Sequence, residues 1–222
     1  MIVADLNTHG AAHHAGTANS MLPALHRLNA DLPVDRAGLR LHGNPLLADL
    51  IDPDSAPGRI AAAVLGLSAR PVRAILFDKT PATNWALGWH QDRTIAVRAR
   101  AETPGFGPWT TKAGIQHVEP PFAIIAGMLT LRIHIDDVPE DNAPLLIAPG
   151  SHRLGRIAEV AIADTVARCG TIVCTAQAGD IWAYATPILH ASAAATRAAH
   201  RRVLQVDYSA EGLPGDLDWL GV

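Results

Sequence analysis

The sequence predicts a mainly β protein, a barrel or sandwich with helices packed outside it. Two observations predict this class: strand-like segments separated by Gly and Pro turns fill most of the chain after residue 70, and helical patterns gather before it. The length of 222 residues suits a single β-barrel domain. We therefore expect one domain over residues 1–222, with a helical and loop part at 1–70 and the barrel core at about 71–209.

The helices are predicted from apolar spacing and from capping residues. The best helical patterns of the first third cover residues 18–29 and 57–67, and Asp54 or Ser55 could cap the second of them. A third helix is predicted at residues 157–168, between two groups of strands.

The strands are predicted from apolar residues at every second position. The clearest one is MLTLRIHIDD at 128–137, in which Leu129, Leu131 and Ile133 face one way while Arg132 and His134 face the other. Further strands are predicted at residues 71–78, 94–100, 171–176, 180–185 and 202–209. Residues 103–114, TPGFGPWTTKAG, are rich in Gly and Pro and long for a plain connection, so we expect a functional loop there.

Composition narrows the function classes. Apolar residues make up 49% of the chain and charged residues 18%, which is typical of a globular protein. A net charge of −3 gives no basic surface for nucleic acid or for an anionic membrane, so we expect neither partner. The N-terminal residues do not have the pattern of a signal peptide, and no apolar run is long enough to span a membrane. Cys169 and Cys174 are expected to be reduced. These features indicate a cytoplasmic protein.

The segment NWALGWHQD contains the first candidate for chemistry. His90 and Asp92 lie two positions apart, which places both side chains on one face of an extended chain. A later histidine, His190 in ATPILHASA, would complete a set of two histidines and one carboxylate, which is a common Fe(II) site with open positions. The pair His134 and Asp136 has the same spacing, and spacing alone leaves both pairs open.

Four blocks of sequence, taken in order, resemble the phytanoyl-CoA dioxygenase family of Fe(II)- and 2-oxoglutarate-dependent oxygenases. The blocks are WHQD, DDVPEDNAPLLIAPGSHR, AGDIWAYATPILHAS and HRRVLQVDY. The resemblance covers roughly residues 71–209, and the family's usual Asn-Gly before the PGSH strand stands here as Asn142-Ala143. It implies a double-stranded β-helix, a jelly-roll or cupin-like barrel, with flanking N-terminal helices.

The resemblance also implies a ligand set. Fe(II) would be bound by His90, Asp92 and His190, with 2-oxoglutarate as co-substrate and O2 as oxidant. His134 would then be an ordinary strand residue, and His152 a structural residue of the PGSH turn.

The distal carboxylate of 2-oxoglutarate needs a cation, ideally an Arg that donates two parallel hydrogen bonds. Arg201 lies eleven residues after His190, and Ser192 lies two after it; both match the family pattern. Arg202 remains an alternative, because strand alternation places it on the face of Leu204 and Val206, which could be the interior. Lys79, which leads to the His90 segment, is either a further carboxylate ligand or a solvated lysine at the end of a strand.

Three further residues near these segments receive roles. Trp89 and Trp109 are candidates for substrate contact, the second because it lies in the Gly- and Pro-rich loop. Gln91 points away from the iron ligands by alternation and is expected to be a supporting residue.

The predicted function is hydroxylation of an unactivated C–H bond in a small organic substrate, with release of succinate and CO2. Related halogenating enzymes have a small residue where Asp92 stands, so its carboxylate favours hydroxylation, while desaturation and cyclisation stay open. A jelly-roll protein that binds a metal or small ligand without turnover is the alternative, and an empty structural barrel is a third interpretation. The substrate and the oligomeric state are not predicted.

Overall fold

The computed structural model describes residues 5–30, 32–33, 36–197 and 199–222. Its helices are α1 (Leu6–His9), α2 (Leu22–Ala30), α3 (Pro45–Leu50), α4 (Ala56–Leu65), α5 (Phe122–Ala126) and α6 (Ile162–Cys169). Its strands are β1 (Ala11–His14), β2 (Gly38–Leu41), β3 (Arg70–Lys79), β4 (Leu87–His90), β5 (Ile95–Val97), β6 (Trp109–Lys112), β7 (Ile115–Val118), β8 (Met128–His134), β9 (Leu145–Ile147), β10 (Ile172–Cys174), β11 (Ile181–Ala185), β12 (His190–Ser192) and β13 (Arg201–Ser209).

The strands form three sheets in which neighbours run antiparallel. A six-stranded sheet has the order β1-β11-β8-β13-β3-β2, a four-stranded sheet has the order β10-β9-β12-β4, and a three-stranded sheet has the order β5-β7-β6. The pairing of β3 with β13 joins the start of the predicted core to its end, over the register from Arg70↔Ser209 to Lys79↔Arg201. The prediction of a mainly β fold with flanking helices is confirmed.

The six-stranded sheet packs its apolar face against the helices. Leu129, Leu131 and Ile133 of β8 lie in one buried cluster with Leu204 and Val206 of β13, and this cluster includes residues of α2, α3 and α4. Burial of one such side chain contributes about 1.5–3 kcal/mol. The helices therefore cover the apolar face, and the opposite faces of β8 and β13 point into the molecule.

A second cluster joins the two larger sheets. Leu145 and Ile147 of the four-stranded sheet pack with Trp182 and Tyr184 of the six-stranded sheet. This apolar layer packs the two sheets against each other.

The predicted helices are shifted by a few residues in the structure. The helix expected at 57–67 is α4, in which the Ser55 hydroxyl accepts a hydrogen bond from the Gly58 amide at 3.1 Å, so Ser55 is the cap and Asp54 is not. The helix expected at 18–29 is α2, which begins only at Leu22, after a 3-10 turn at Asn19–Met21. The helix expected at 157–168 likewise begins late, as α6.

The segment 103–114 is only partly a loop. Its second half forms β6, which pairs with β7 through a turn at Ala113 and Gly114, with φ of 50° and 79°. Two consecutive positive φ values are typical of a two-residue hairpin turn, and Gly114 adopts its value without strain. The expected strand at 94–100 is shorter, at Ile95–Val97.

Two general expectations can be compared with the described part of the chain. Cys169 and Cys174 are free thiols. None of the described helices has the length and apolar character needed to cross a bilayer.

Candidate metal centre and co-substrate pocket

Two paired strands of the four-stranded sheet bring the predicted iron ligands together. His90 ends β4, His190 begins β12, and the two residues lie opposite each other in the sheet. Asp92 follows two residues after His90, and one possible ligand atom from each of the three residues lies within 4.8 Å of the others. Among the residues that the structure describes, this is the one group of His, Cys, Asp and Glu side chains able to hold a metal ion.

Backbone carbonyls set the orientation of both imidazole rings. The Nδ1 atom of His90 lies 2.8 Å from the Gly88 oxygen, and the Nδ1 atom of His190 lies 3.0 Å from the Ile188 oxygen. A carbonyl oxygen can only accept a hydrogen bond, so each Nδ1 must donate one. Each Nε2 atom therefore carries a lone pair that can bind a metal. Burial lowers the pKa of His190 to about 4, which keeps the ring in the neutral form that binds metal.

The Asp92 carboxylate is held by an arginine. Arg73 Nη2 lies 3.4 Å from Asp92 Oδ2, while Arg73 Nε pairs with Asp207 and Thr130 donates to Asp207 at 3.0 Å. Burial alone would raise the pKa of Asp92, but Arg73 and the two neighbouring histidines lower it below its ordinary value. One carboxylate oxygen is thus occupied by Arg73, and the ionised group presents the other to a metal.

Polar contacts fix the loops that carry the ligands. Gln91 is buried, accepts a hydrogen bond from the Ile157 amide at 2.8 Å and donates to the Pro187 oxygen at 2.7 Å. Ser151, in the PGSH turn, accepts from the Leu189 amide at 2.9 Å. These bonds join the His90 segment and the His190 segment, so Gln91 supports the site without facing it.

The alternative pair does not form a comparable group. Asp136 is bonded to Arg202, whose Nε lies 2.7 Å from its Oδ2. His134 is 1% exposed, and neither of its ring nitrogens has a hydrogen-bond partner within the described ranges. The donor set of His90, Asp92 and His190 therefore fits an Fe(II) ion better, because its ligand atoms converge and its tautomers are fixed.

A cavity of about 190 Å³ lies beside these three residues, and six Arg and Lys side chains take part in its lining. Arg201 is 2% exposed and lies in this lining. Its Nη1 donates to the Ala143 oxygen at 2.6 Å, while its Nε is buried and has no partner in the described chain. Burial and the nearby Arg132 lower the pKa of Arg201 to about 9. A buried guanidinium without a carboxylate is costly, and an anionic ligand would compensate it.

Lys79 and Ser192 line the same cavity. Lys79 Nζ donates to Ser192 Oγ at 3.0 Å and lies 4.8 Å from the centre of the Trp85 ring. Burial, together with the charges of Arg201 and Arg132, lowers the pKa of Lys79 to about 7. The structure thus brings Arg201, Ser192 and Lys79 together, and Lys79 is 2% exposed rather than solvated. Arg202 is not part of this lining.

Sequence reasoning missed a third buried cation in the cavity. Arg132 donates to Gln205 at 3.1 Å, lies 5.5 Å from the Phe77 ring centre, and has a buried Nε with no partner among the described residues. The alternation of β8 was the available signal, because it places Arg132 on the face opposite Leu131. Arg73 was missed as well, since its partner Asp207 is 134 residues away.

An open groove of about 750 Å³ also reaches His90 and Asp92. It shares His90, Asp92, Thr94 and Lys112 with the closed cavity. Trp89 lines this groove together with residues of α6.

Trp109 has a different position from the one expected. It packs into the apolar cluster of the three-stranded sheet and lies 5.4 Å from the Arg100 guanidinium. It is not in the lining of the cavity or the groove, because the segment expected as a loop folds into β6.

Comparisons with known proteins give one family and many structures. A family model described as phytanoyl-CoA dioxygenase (PhyH) matches residues 46–203. No curated protein matches the sequence. AviO1 from Streptomyces viridochromogenes Tue57 has a TM-score of 0.61 at 20% identity, covering 95% of this chain and 94% of that one. EctD from S. alaskensis, with 2-oxoglutarate and 5-hydroxyectoine, has a TM-score of 0.64 at 16% identity, covering 98% and 77%.

A third similar structure is that of the epimerase SnoN in complex with Fe3+, alpha ketoglutarate and nogalamycin RO. It has a TM-score of 0.60 at 15% identity, and the match covers 95% of this chain and 88% of that one. At these identities the likenesses establish the fold.

Proposed function

The chain belongs to the phytanoyl-CoA dioxygenase family, and from this premise we propose that it is a non-haem Fe(II)- and 2-oxoglutarate-dependent oxygenase. The observation that carries the proposal is the position of two histidines and one carboxylate beside buried cations that have no carboxylate partner within the described residues. SnoN with Fe3+ and alpha ketoglutarate, and EctD with 2-oxoglutarate, support the same cofactors here.

Each part of the site has a role in this proposal. The Nε2 atoms of His90 and His190 and one oxygen of Asp92 would hold the Fe(II) ion. 2-Oxoglutarate would bind in the cavity beside them, with Arg201 and Ser192 as the partners of its distal carboxylate. Arg201 contributes the planar donor fork, and a bidentate pair of this kind fixes orientation as well as charge.

Lys79 and Arg132 complete the electrostatics of the co-substrate pocket. Burial and the repulsion between neighbouring cations disfavour the charged forms of Lys79 and Arg201. A dianion bound in the pocket would stabilise these charged forms. Trp85, Phe77 and Leu87 line the pocket and keep water away from the bound co-substrate.

The metal with its co-substrate and O2 supplies an oxidant for C–H bonds, and 2-oxoglutarate leaves as succinate and CO2. The protein binds the reactants and orients them. The substrate approaches through the open groove, where Trp89 and Ile162 offer apolar contact next to His90. Arg73 keeps Asp92 ionised and in place throughout.

We propose hydroxylation as the reaction, with residues 1–222 forming a single oxygenase domain. Asp92 adds a carboxylate to the candidate ligand set, and this supports hydroxylation, because related halogenating enzymes have a small residue in its place. The alternative is a non-catalytic protein that binds a metal or small ligand in the same barrel.

The experiment that tests the proposal is succinate formation from 2-oxoglutarate by the Fe(II)-loaded protein in air. We expect slow formation without substrate and none after His190→Ala, with Arg202→Ala as a matched control outside the cavity. Stoichiometric Fe(II) binding without any succinate, over a broad panel of small molecules, would favour the non-catalytic alternative.

A further inference from the structure

Five of the six Arg and Lys side chains that line the closed cavity fall into two groups, and the sixth, Arg73, pairs with Asp92 and Asp207. Lys79, Arg132 and Arg201 form the first group. Lys79 and Arg201 lie opposite each other in the paired strands β3 and β13. Burial and the charge of Arg132 lower the pKa of both residues. Arg40 and Lys112 belong to the second group, and both line the same cavity. Burial lowers the pKa of His117, and the nearby charges of Arg40, Arg73 and Lys112 lower it further.

The two groups are separated along β3. Arg40 lies opposite Ile75, and Arg201 lies opposite Lys79. The four-residue step from Ile75 to Lys79 spans about 13 Å of extended strand. A 2-oxoglutarate molecule bound between the metal ligands and Arg201 would therefore leave the Arg40 end of the cavity for another ligand.

The second group has no anion of its own within the described residues. Arg73 is engaged by Asp207 and Asp92. Arg40 has a buried Nε without a partner, and neither Arg40 nor Lys112 takes part in an ion pair in the described ranges. Among the described residues, Asp92 is the only carboxylate in the cavity lining, and it belongs to the candidate metal site.

We propose that the substrate carries a carboxylate or phosphate group, which Arg40 and Lys112 bind while a C–H bond of the same molecule lies next to the metal ligands. This inference rests on the proposed function. Lys112 lines both the closed cavity and the open groove. An anion that enters through the groove would therefore contact the Lys112 side chain. Trp89 and Ile162, also in the groove, can contact the carbon skeleton. Opposite charge is expected to guide such substrates and to reject neutral analogues.

The test uses the protein loaded anaerobically with Fe(II) and saturated with 2-oxoglutarate. Three probes of similar size are titrated into it: benzoate, phenyl phosphate and the neutral benzamide. Binding near the metal is measured from the enhanced relaxation of probe protons by the paramagnetic ion. The visible charge-transfer absorption of the Fe(II)–2-oxoglutarate chelate is followed in the same samples, to detect displacement of the co-substrate.

We expect at least one anionic probe to bind about tenfold more tightly than benzamide without loss of the absorption band. Arg40→Gln and Lys112→Gln should each remove most of this preference and leave benzamide binding unchanged. Arg27→Gln, a change of an exposed arginine on α2, is the matched control and should have no effect. Lys112 is exposed, so its substitution leaves the fold intact. Comparing benzoate with phenyl phosphate identifies which anion is preferred.

Three results would overturn the inference: equal binding of charged and neutral probes, a preference that survives both substitutions, or displacement of 2-oxoglutarate by the anions. In each case, a chelate absorption band in wild-type protein without a probe would still support the proposed function. Absence of that band in the wild type would instead count against the proposed function itself.

Discussion

Replacement of Arg201 by alanine should weaken the binding of 2-oxoglutarate strongly. The guanidinium is 2% exposed and faces the cavity, with one nitrogen on the Ala143 oxygen and a buried Nε that has no partner in the described chain. Truncation removes the donor fork expected to hold the distal carboxylate. Iron binding should change little, because Arg201 is not among the ligand atoms that converge.

The size of the effect follows from burial and from the remaining cations. Removal of one partner from a buried charged pair costs about 3–5 kcal/mol, and each 1.4 kcal/mol is about tenfold in affinity. Lys79 and Arg132 stay in the pocket and recover part of the electrostatic energy, so the lower end of the range applies. We expect the dissociation constant of 2-oxoglutarate to rise by about a hundredfold.

The assay is a titration of 2-oxoglutarate into anaerobic Fe(II)-loaded protein, followed by charge-transfer absorption. Arg201→Lys should recover only part of the affinity, because a point charge cannot reproduce the planar fork. Arg202→Ala is the control, since Arg202 pairs with Asp136 outside the cavity lining. The reasoning is refuted if Arg202→Ala loses the co-substrate while Arg201→Ala, with unfolding temperature unchanged, retains it.

Four further predictions concern the metal ligands and the groups around them. His190→Ala should lose bound iron while His134→Ala keeps it, as measured by iron content after gel filtration; the opposite result would identify the other His-x-Asp pair as the site. Asp92→Gly should lose hydroxylation but keep weak 2-oxoglutarate binding, and product mass spectrometry with added chloride checks whether some halogenation appears; hydroxylation at the wild-type rate contradicts a ligand role. Arg73→Gln should weaken Fe(II) binding by about tenfold or more, because Asp92 loses a charged hydrogen bond of about 1.5–3 kcal/mol; unchanged affinity in a metal titration removes the positioning role. The pKa of Lys79 is lowered to about 7, so its charge is present below that pH and lost above it in the unliganded protein; wild-type affinity for 2-oxoglutarate should therefore fall between pH 7 and 9, and a profile as steep in Lys79→Met would exclude this cause.

The sequence was most informative where local pattern and side-chain spacing agree. The alternation of β8 correctly placed Leu129 and Leu131 on one face, because the helices that cover them need an apolar surface. The alternation of β13 left Arg201 and Arg202 unresolved, since both of its faces are buried and only the helices reveal which one points outward.

Other features depend on contacts that no local pattern contains. Arg73 holds Asp92 through an anchor on Asp207, which lies 134 residues farther along the chain. Arg132 reaches the cavity from the middle of β8, and the alternation of this strand assigns it to the face opposite Leu131 without indicating that a cavity lies there. Trp109 lies in a segment whose glycines and prolines predicted a loop, yet pairing with β7 draws it into a sheet.

The central claim is that 2-oxoglutarate chelates an Fe(II) ion held by His90, Asp92 and His190. The most direct measurement is an anaerobic titration of the wild-type protein and of His190→Ala with Fe(II) in the presence of 2-oxoglutarate, followed by visible absorption. We expect a charge-transfer band that saturates at one equivalent of Fe(II) in the wild type and is absent in the variant. A band of equal intensity in His190→Ala, or no band in wild-type protein that binds Fe(II) stoichiometrically, would contradict it.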